Sequence, residues 1–142
     1  MPEDTHHSHV GYDAEQAAEY MQRMWTDGPY RTPEETDPDV REFVRSMLLE
    51  TYQREGVPPH SARPDPPALE RLSEIHAPTL AIVGDMDMPD ILTIVDLLKG
   101  EVEGAKVEVI PGVAHMVNLE KPEEFNEIAL DYLRSVNWIP PE

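Results

Sequence analysis

Residues 77–89 read Ala-Pro-Thr-Leu-Ala-Ile-Val-Gly-Asp-Met-Asp-Met-Pro. Thr-Leu-Ala-Ile-Val, residues 79–83, is a continuous strand-type run without polar alternation. Such a strand is covered on both faces, as in a parallel sheet. Gly84, Asp85, Asp87 and Pro89 then turn the chain. Ile91, Leu92, Ile94, Val95, Leu97 and Leu98 predict a helix over residues 90–99, with Gly100 past its end. A second strand, Lys-Val-Glu-Val-Ile, spans residues 106–110, and Pro111-Gly112 releases the backbone towards His115. Pro122 opens a last helix, with Glu123 and Glu124 in its first turn, where they suit the helix dipole. Phe125, Ile128, Ala129, Tyr132, Leu133 and Val136 give that helix one apolar face. Strand, helix, strand, helix is an α/β arrangement, a βαβα unit with parallel strands and a right-handed crossover.

Upstream the pattern is helical. Ala14, Ala17, Ala18, Met21, Met24 and Trp25 share one face of a helix over residues 13–26, capped by Asp13 and stopped by Asp27-Gly28-Pro29. Residues 32–36 read as a polar, proline-containing loop. Asp37-Pro38 starts a second amphipathic helix, marked by Val40, Phe43, Val44, Met47, Leu48 and Thr51 and ending near Gly56. Five prolines in residues 57–67 exclude a helix or central strand there, so this is a linker. Ala68, Leu69, Leu72 and Ile75 predict a short helix before the first strand.

Composition narrows the function classes. The 142 residues carry 29 acidic and 11 basic side chains, a net charge of −18. A field of that sign repels nucleic acid and anionic membranes, so neither is an expected partner. No apolar run is long enough to span a bilayer. Residues 1–11 are polar and lack the apolar stretch of a signal peptide, so a cytoplasmic location is expected. There is no cysteine, hence no disulfide, thiol chemistry or cysteine zinc site. His6, His7 and His9 crowd the tail, but no acidic or histidine partner at helical spacing completes a metal site. No metal and no cofactor is expected. A site joining His115 to Asp85, Asp87 or Glu120 also lacks a histidine-rich helical spacing. No Gly-rich Lys-Ser/Thr phosphate loop is present.

The chemistry rests on Asp87 and His115. In open α/β sheets the functional groups sit at the C-terminal ends of the strands. Asp87 follows the first strand and His115 the second, and the 28 positions between them hold one crossover helix and one strand. Neighbouring parallel strands bring the two loops together. A carboxylate on one ring nitrogen fixes the tautomer of an imidazole and stabilises its charged form, as general-base work requires. Alone, a loop aspartate commonly shapes a turn and a loop histidine is commonly just exposed. Their joint placement favours the catalytic reading.

Three segments carry a family resemblance: residues 77–87, Ile-Pro-Gly-Val-Ala-His at 110–115, and Asn-Leu-Glu-Lys-Pro-Glu-Glu-Phe-Asn at 118–126. Together they resemble the C-terminal part of the α/β-hydrolase fold, among its capped esterase, enol-lactonase and C–C hydrolase-like members. The resemblance implies a partial α/β-hydrolase fold, with a helical cap segment ahead of the βαβα unit. It implies that Asp87 is the triad acid and His115 the triad base, with Asp85 as the alternative acid. Residues 24–41 resemble the cap of these enzymes, which implies that Trp25, Met21, Phe43 and Met47 line the substrate pocket; helix-face packing is the other account of them. The expected organisation is a tail at 1–12, a cap at 13–56, a linker at 57–67 and a core segment at 68–142.

One departure is large. The nucleophile elbow, Gly-x-Ser-x-Gly, presents a serine on a strained strand-to-helix turn. Ser8, Ser46, Ser61, Ser73 and Ser135 are the serines here, and none is flanked in that way. The expected function is therefore the acid and histidine half of a serine hydrolase for esters, lactones or similar carbonyl compounds. Its partners would be a small ester-like substrate and a complementing N-terminal hydrolase segment. The alternative is a non-catalytic module that binds a partner chain or forms a homodimer through the open edge of its first strand.

Overall fold

The structure, a computed structural model, describes residues 13–55 and 65–138. The tail histidines, Gly56 and most of the proline-rich linker lie outside the described residues.

Helix α1 spans Ala14–Met21, and the Asp13 carboxylate caps it by accepting the amides of Glu15 and Gln16 at 3.1 and 3.2 Å. Beyond Met21 the coil widens into a π-helical turn, Gln22–Asp27. This differs from the single helix expected over residues 13–26, and it changes which side chains are covered. The wider turn rotates later residues off the 3.6-residue period. Ala18 is buried as the pattern predicts, but Met24 is exposed, and the buried positions of the turn are Gln22, Thr26 and Asp27. Of these, the Asp27 carboxylate is flanked by arginines, whereas Gln22 Oε1 and Thr26 Oγ1 are buried without a hydrogen-bond partner among the described residues. Arg23 donates to Asp27 Oδ2 at 2.6 Å, and Arg41 Nε stands 3.4 Å from Asp27 Oδ1.

The expected loop at 32–36 contains a 3₁₀ turn, Pro33–Glu35. Its capping box is reciprocal: the Thr32 amide donates to Glu35 Oε2 at 2.8 Å, and that bond holds the Glu35 carboxyl below its ordinary pKa. Helix α2 spans Pro38–Glu55 and starts at Asp37, which accepts the Asp39 amide at 2.8 Å. The segment Ala68–Glu74 is a 3₁₀ helix with no buried residue. Without an apolar face to bury, nothing draws it into a full α-helix.

Strand β1, Leu80–Gly84, and strand β2, Lys106–Ile110, pair in parallel, with Leu80 opposite Lys106 and Gly84 opposite Ile110. Helix α3, Pro89–Glu101, connects them. A four-residue helix α4, Val117–Glu120, and helix α5, Pro122–Ser135, follow. Ile110, Val113 and Val117 form the core cluster, backed by Ile82, Phe125 and Ile128. It sits under the tip of β2, so the loop carrying His115 leaves directly from the best-packed part of the molecule. The core is thin. Ile94 and Leu97 on α3, Val109 on β2 and Leu130 on α5 remain exposed. Among the described residues β1 pairs with β2 alone, leaving its other edge open.

Candidate active site

The acid turn and the histidine loop are stitched together by backbone. Past Gly84, the Asp85 amide donates to Ile110 O at 3.2 Å and the Met86 amide to Val113 O at 3.0 Å. Asp85 turns its carboxylate to the histidine loop and accepts the Gly112 amide at 2.6 Å. Gly112 has φ +77°, a left-handed conformation that glycine adopts without strain and that swings the chain out of β2. Gly84 is buried at the closest approach: a Cβ there would lie 2.1 Å from Val113 O. Gly28, with φ +76°, lets the end of the π turn settle on both loops; its Cβ would lie 2.4 Å from Met86 O.

This scaffold brings Asp87 and His115 into contact. His115 Nδ1 lies 2.7 Å from Asp87 Oδ2. Asp87 is 1% exposed, and its other oxygen accepts the Met88 amide at 2.7 Å. The His115 side chain is 41% exposed. An ionised carboxylate only accepts hydrogen bonds, so pairing with it puts the ring proton on Nδ1 and leaves the Nε2 lone pair for a substrate or nucleophile. Trp25 forms a wall beside the imidazole, with ring centroids 4.6 Å apart and planes tilted by 51°. The His115 amide also donates to Trp25 O at 3.2 Å, tying the helical segment to the loop.

The residues expected to line a pocket are divided by the structure. Phe43 and Met47 project from α2, each 53% exposed, and line a groove of about 450 Å³ with Val44, Leu48, Met116 and Leu119. Met116, the residue after His115, lies in the lining of this groove, and His115 itself does not. Trp25 stands at the His115 ring instead, and Met21 is half-buried on α1 away from the groove lining. Among the described residues no group of three or more histidine, aspartate or glutamate side chains is arranged to hold a metal. Asp85 is committed to Gly112, and Glu120 to Arg31.

The Arg31–Glu120 pair was not legible in the sequence. Arg31 Nη1 donates to Glu120 Oε2 at 2.6 Å and Nη2 to Oε1 at 2.9 Å. Glu120 is visible within the Asn-Leu-Glu-Lys-Pro segment, but an arginine in an upstream loop has no periodicity that points to a partner 89 positions away.

Neither the family models nor the curated proteins compared with the sequence match it. Solved structures do. A thermophilic esterase is 25% identical with a TM-score of 0.61, over 87% of this chain and 47% of its own. A hydrolase from Pseudomonas aeruginosa PA01 is 22% identical with a TM-score of 0.63, over 87% and 45%. Carboxylesterase CesB (YbfK) from Bacillus subtilis is 20% identical with a TM-score of 0.61, over 84% and 41%. The chain therefore has a partial α/β-hydrolase fold, similar to the C-terminal part of such enzymes. It spans less than half the length of these three structures. Among the described residues no helix is long and apolar enough to cross a membrane.

Proposed function

We propose that this chain is the C-terminal part of an α/β-hydrolase-fold hydrolase acting on esters, lactones or similar carbonyl compounds. Asp87 is its triad acid, His115 its general base, and the serine nucleophile belongs to a segment outside this chain. The observation that carries this reading is the 2.7 Å contact between a buried carboxylate and a half-exposed imidazole at adjacent parallel strand tips. Asp85 is better explained as the residue that holds Gly112, because its carboxylate is used there. Residues 13–56 act as the cap, with Trp25 beside the base and the Phe43–Met47 groove receiving the apolar part of the substrate.

The test is a chimera in which this chain is joined to the portion of the thermophilic esterase outside the match. Turnover of a short-chain p-nitrophenyl ester, abolished by His115→Ala, is the expected result. A folded chimera whose turnover ignores His115→Ala would remove His115 from the chemistry.

A second reading has its own support. The open edge of β1 and the exposed Ile94, Leu97, Val109 and Leu130 suit a partner chain or a second copy. Sedimentation of the purified chain across a concentration series separates the two: a stable monomer speaks against self-association.

A further inference from the structure

Arg31 and Glu120 take no part in the proposed chemistry, yet their bonds reach the backbone next to Trp25 and next to His115. Their side chains are 10% and 6% exposed. Besides its fork on Glu120, Arg31 donates through Nε to Asp27 O at 2.9 Å, through Nη2 to Thr26 O at 2.7 Å and through Nη1 to Gly112 O at 3.2 Å. Glu120 Oε1 additionally accepts the Ala114 amide at 3.3 Å. One planar group thus joins three segments: the end of the π turn, the loop before His115 and the short helix after it. Thr26 directly follows Trp25, and Ala114 directly precedes His115.

Stability alone is a poor account of this pair. The desolvation of two buried charges offsets much of their attraction, and apolar residues of similar volume often serve as well or better. What a bidentate arginine–carboxylate pair adds is direction, because the planar fork accepts few geometries. We propose that Arg31 and Glu120 are positioning residues, which lock the Trp25 wall and the His115 loop into one unit so that the imidazole keeps Nδ1 on Asp87. This rests on the triad reading above. The Trp25 ring, held 4.6 Å from His115, is what keeps the imidazole from turning away.

The test uses the full chain labelled with ¹⁵N. Two-bond proton–nitrogen spectra report the His115 tautomer, and ring–ring cross-peaks report its contact with Trp25. Wild type should show the Nδ1–H form, and Asp87→Asn should change it. Arg31→Met, under conditions where it is folded, should lose both the tautomer preference and the ring contact. Val95→Ala, a core truncation on α3, should lower stability and keep both signals. If Arg31→Met does not fold, Arg31→Lys is read by the same criterion, since a single ammonium cannot span the carboxylate and the carbonyls. Folded Arg31 variants with a wild-type His115 spectrum would overturn the positioning role and leave the triad reading standing. So would a Val95→Ala spectrum altered as much as that of Arg31→Met. A wild-type chain without the Nδ1–H preference would overturn both.

Discussion

Adding one methyl group at Gly84 puts the coupling between fold and site under direct test. In Gly84→Ala the new Cβ would stand 2.1 Å from Val113 O, 2.4 Å from Ala114 O and 2.7 Å from Val113 C. All three atoms are backbone, so no side-chain rotation relieves the contact. The histidine loop must retreat by about 1 Å, a form of overpacking at the upper end of the usual range, about 3 kcal/mol. The Met86–Val113 hydrogen bond, 3.0 Å long, stretches with it and forfeits about 1 kcal/mol. Alanine returns roughly 0.4–1 kcal/mol by restricting the unfolded chain. Steric strain wins, and the net loss is about 3 kcal/mol, or roughly 10 °C in Tm. The same retreat pulls His115 off Asp87, so the Nδ1–H signal should disappear even where the variant stays folded. Gly100→Ala is the matched control. It lies near the end of α3 with nothing within 4 Å of its Cβ, so it should raise stability by roughly 0.5–1 kcal/mol. Urea and thermal melts of both variants give the comparison. A Gly84→Ala chain as stable as wild type, with His115 still on Asp87, refutes the claim that this close approach sets the site.

Glu120→Ala leaves the buried Arg31 charge without its carboxylate and should cost about 3 kcal/mol by urea melt, whereas Arg71→Ala, which breaks an exposed pair with Glu74, should leave the melt close to wild type. In the esterase chimera, Asp87→Asn should lower kcat by about 10⁴-fold, since the wrong tautomer faces the nucleophile. Asp85→Ala should cost about 1 kcal/mol of stability by freeing Gly112, while keeping the His115–Asp87 pair in the tautomer spectrum. Glu35→Gln tests a pH dependence whose sign follows from the lowered pKa of Glu35, caused first by the Thr32 amide bond. A depressed carboxyl stabilises the fold above its unfolded value, near 4.5, and loses that contribution as the pH falls through the folded value. The variant should therefore melt below wild type at pH 7, and the two curves should converge in acid.

The core of the fold was readable because its signals are local. Residues 79–83 are apolar without alternation, residues 106–110 end at Pro111-Gly112, and Asp13 and Asp37 each stand where a cap is needed. The structure has β1 at Leu80–Gly84 and β2 at Lys106–Ile110, within one residue of expectation. The contact between Asp87 and His115 followed from topology, since adjacent parallel strands place successive loops side by side. The first helix was misread because periodicity assumes 3.6 residues per turn throughout. The π turn breaks that assumption and buries Gln22, Thr26 and Asp27, residues that a hydrophobic pattern assigns to solvent. Asp27 pairs with Arg23 inside that turn and with Arg41 on α2, and the second partner has no local signal in the sequence.

These misses have a common physical cause, and it bears on how the site works. Hydrophobic pattern reports what an element covers with apolar surface, and the helical segment also meets the histidine loop through polar groups that such a pattern does not register. That polar part is made of Arg31, Glu120 and the backbone of residues 25–27 and 112–115, and Gly28 permits the close approach. Such a junction is directional. It loses its geometry when one donor is removed, whereas an apolar contact of equal area would slide and repack. If His115 is the base proposed above, it must present Nε2 at a fixed angle and so needs a junction of the first kind. The Phe43–Met47 groove, which on the proposed reading has only to receive apolar atoms, is lined mainly by side chains of the second kind, Val44, Leu48, Met116 and Leu119 among them.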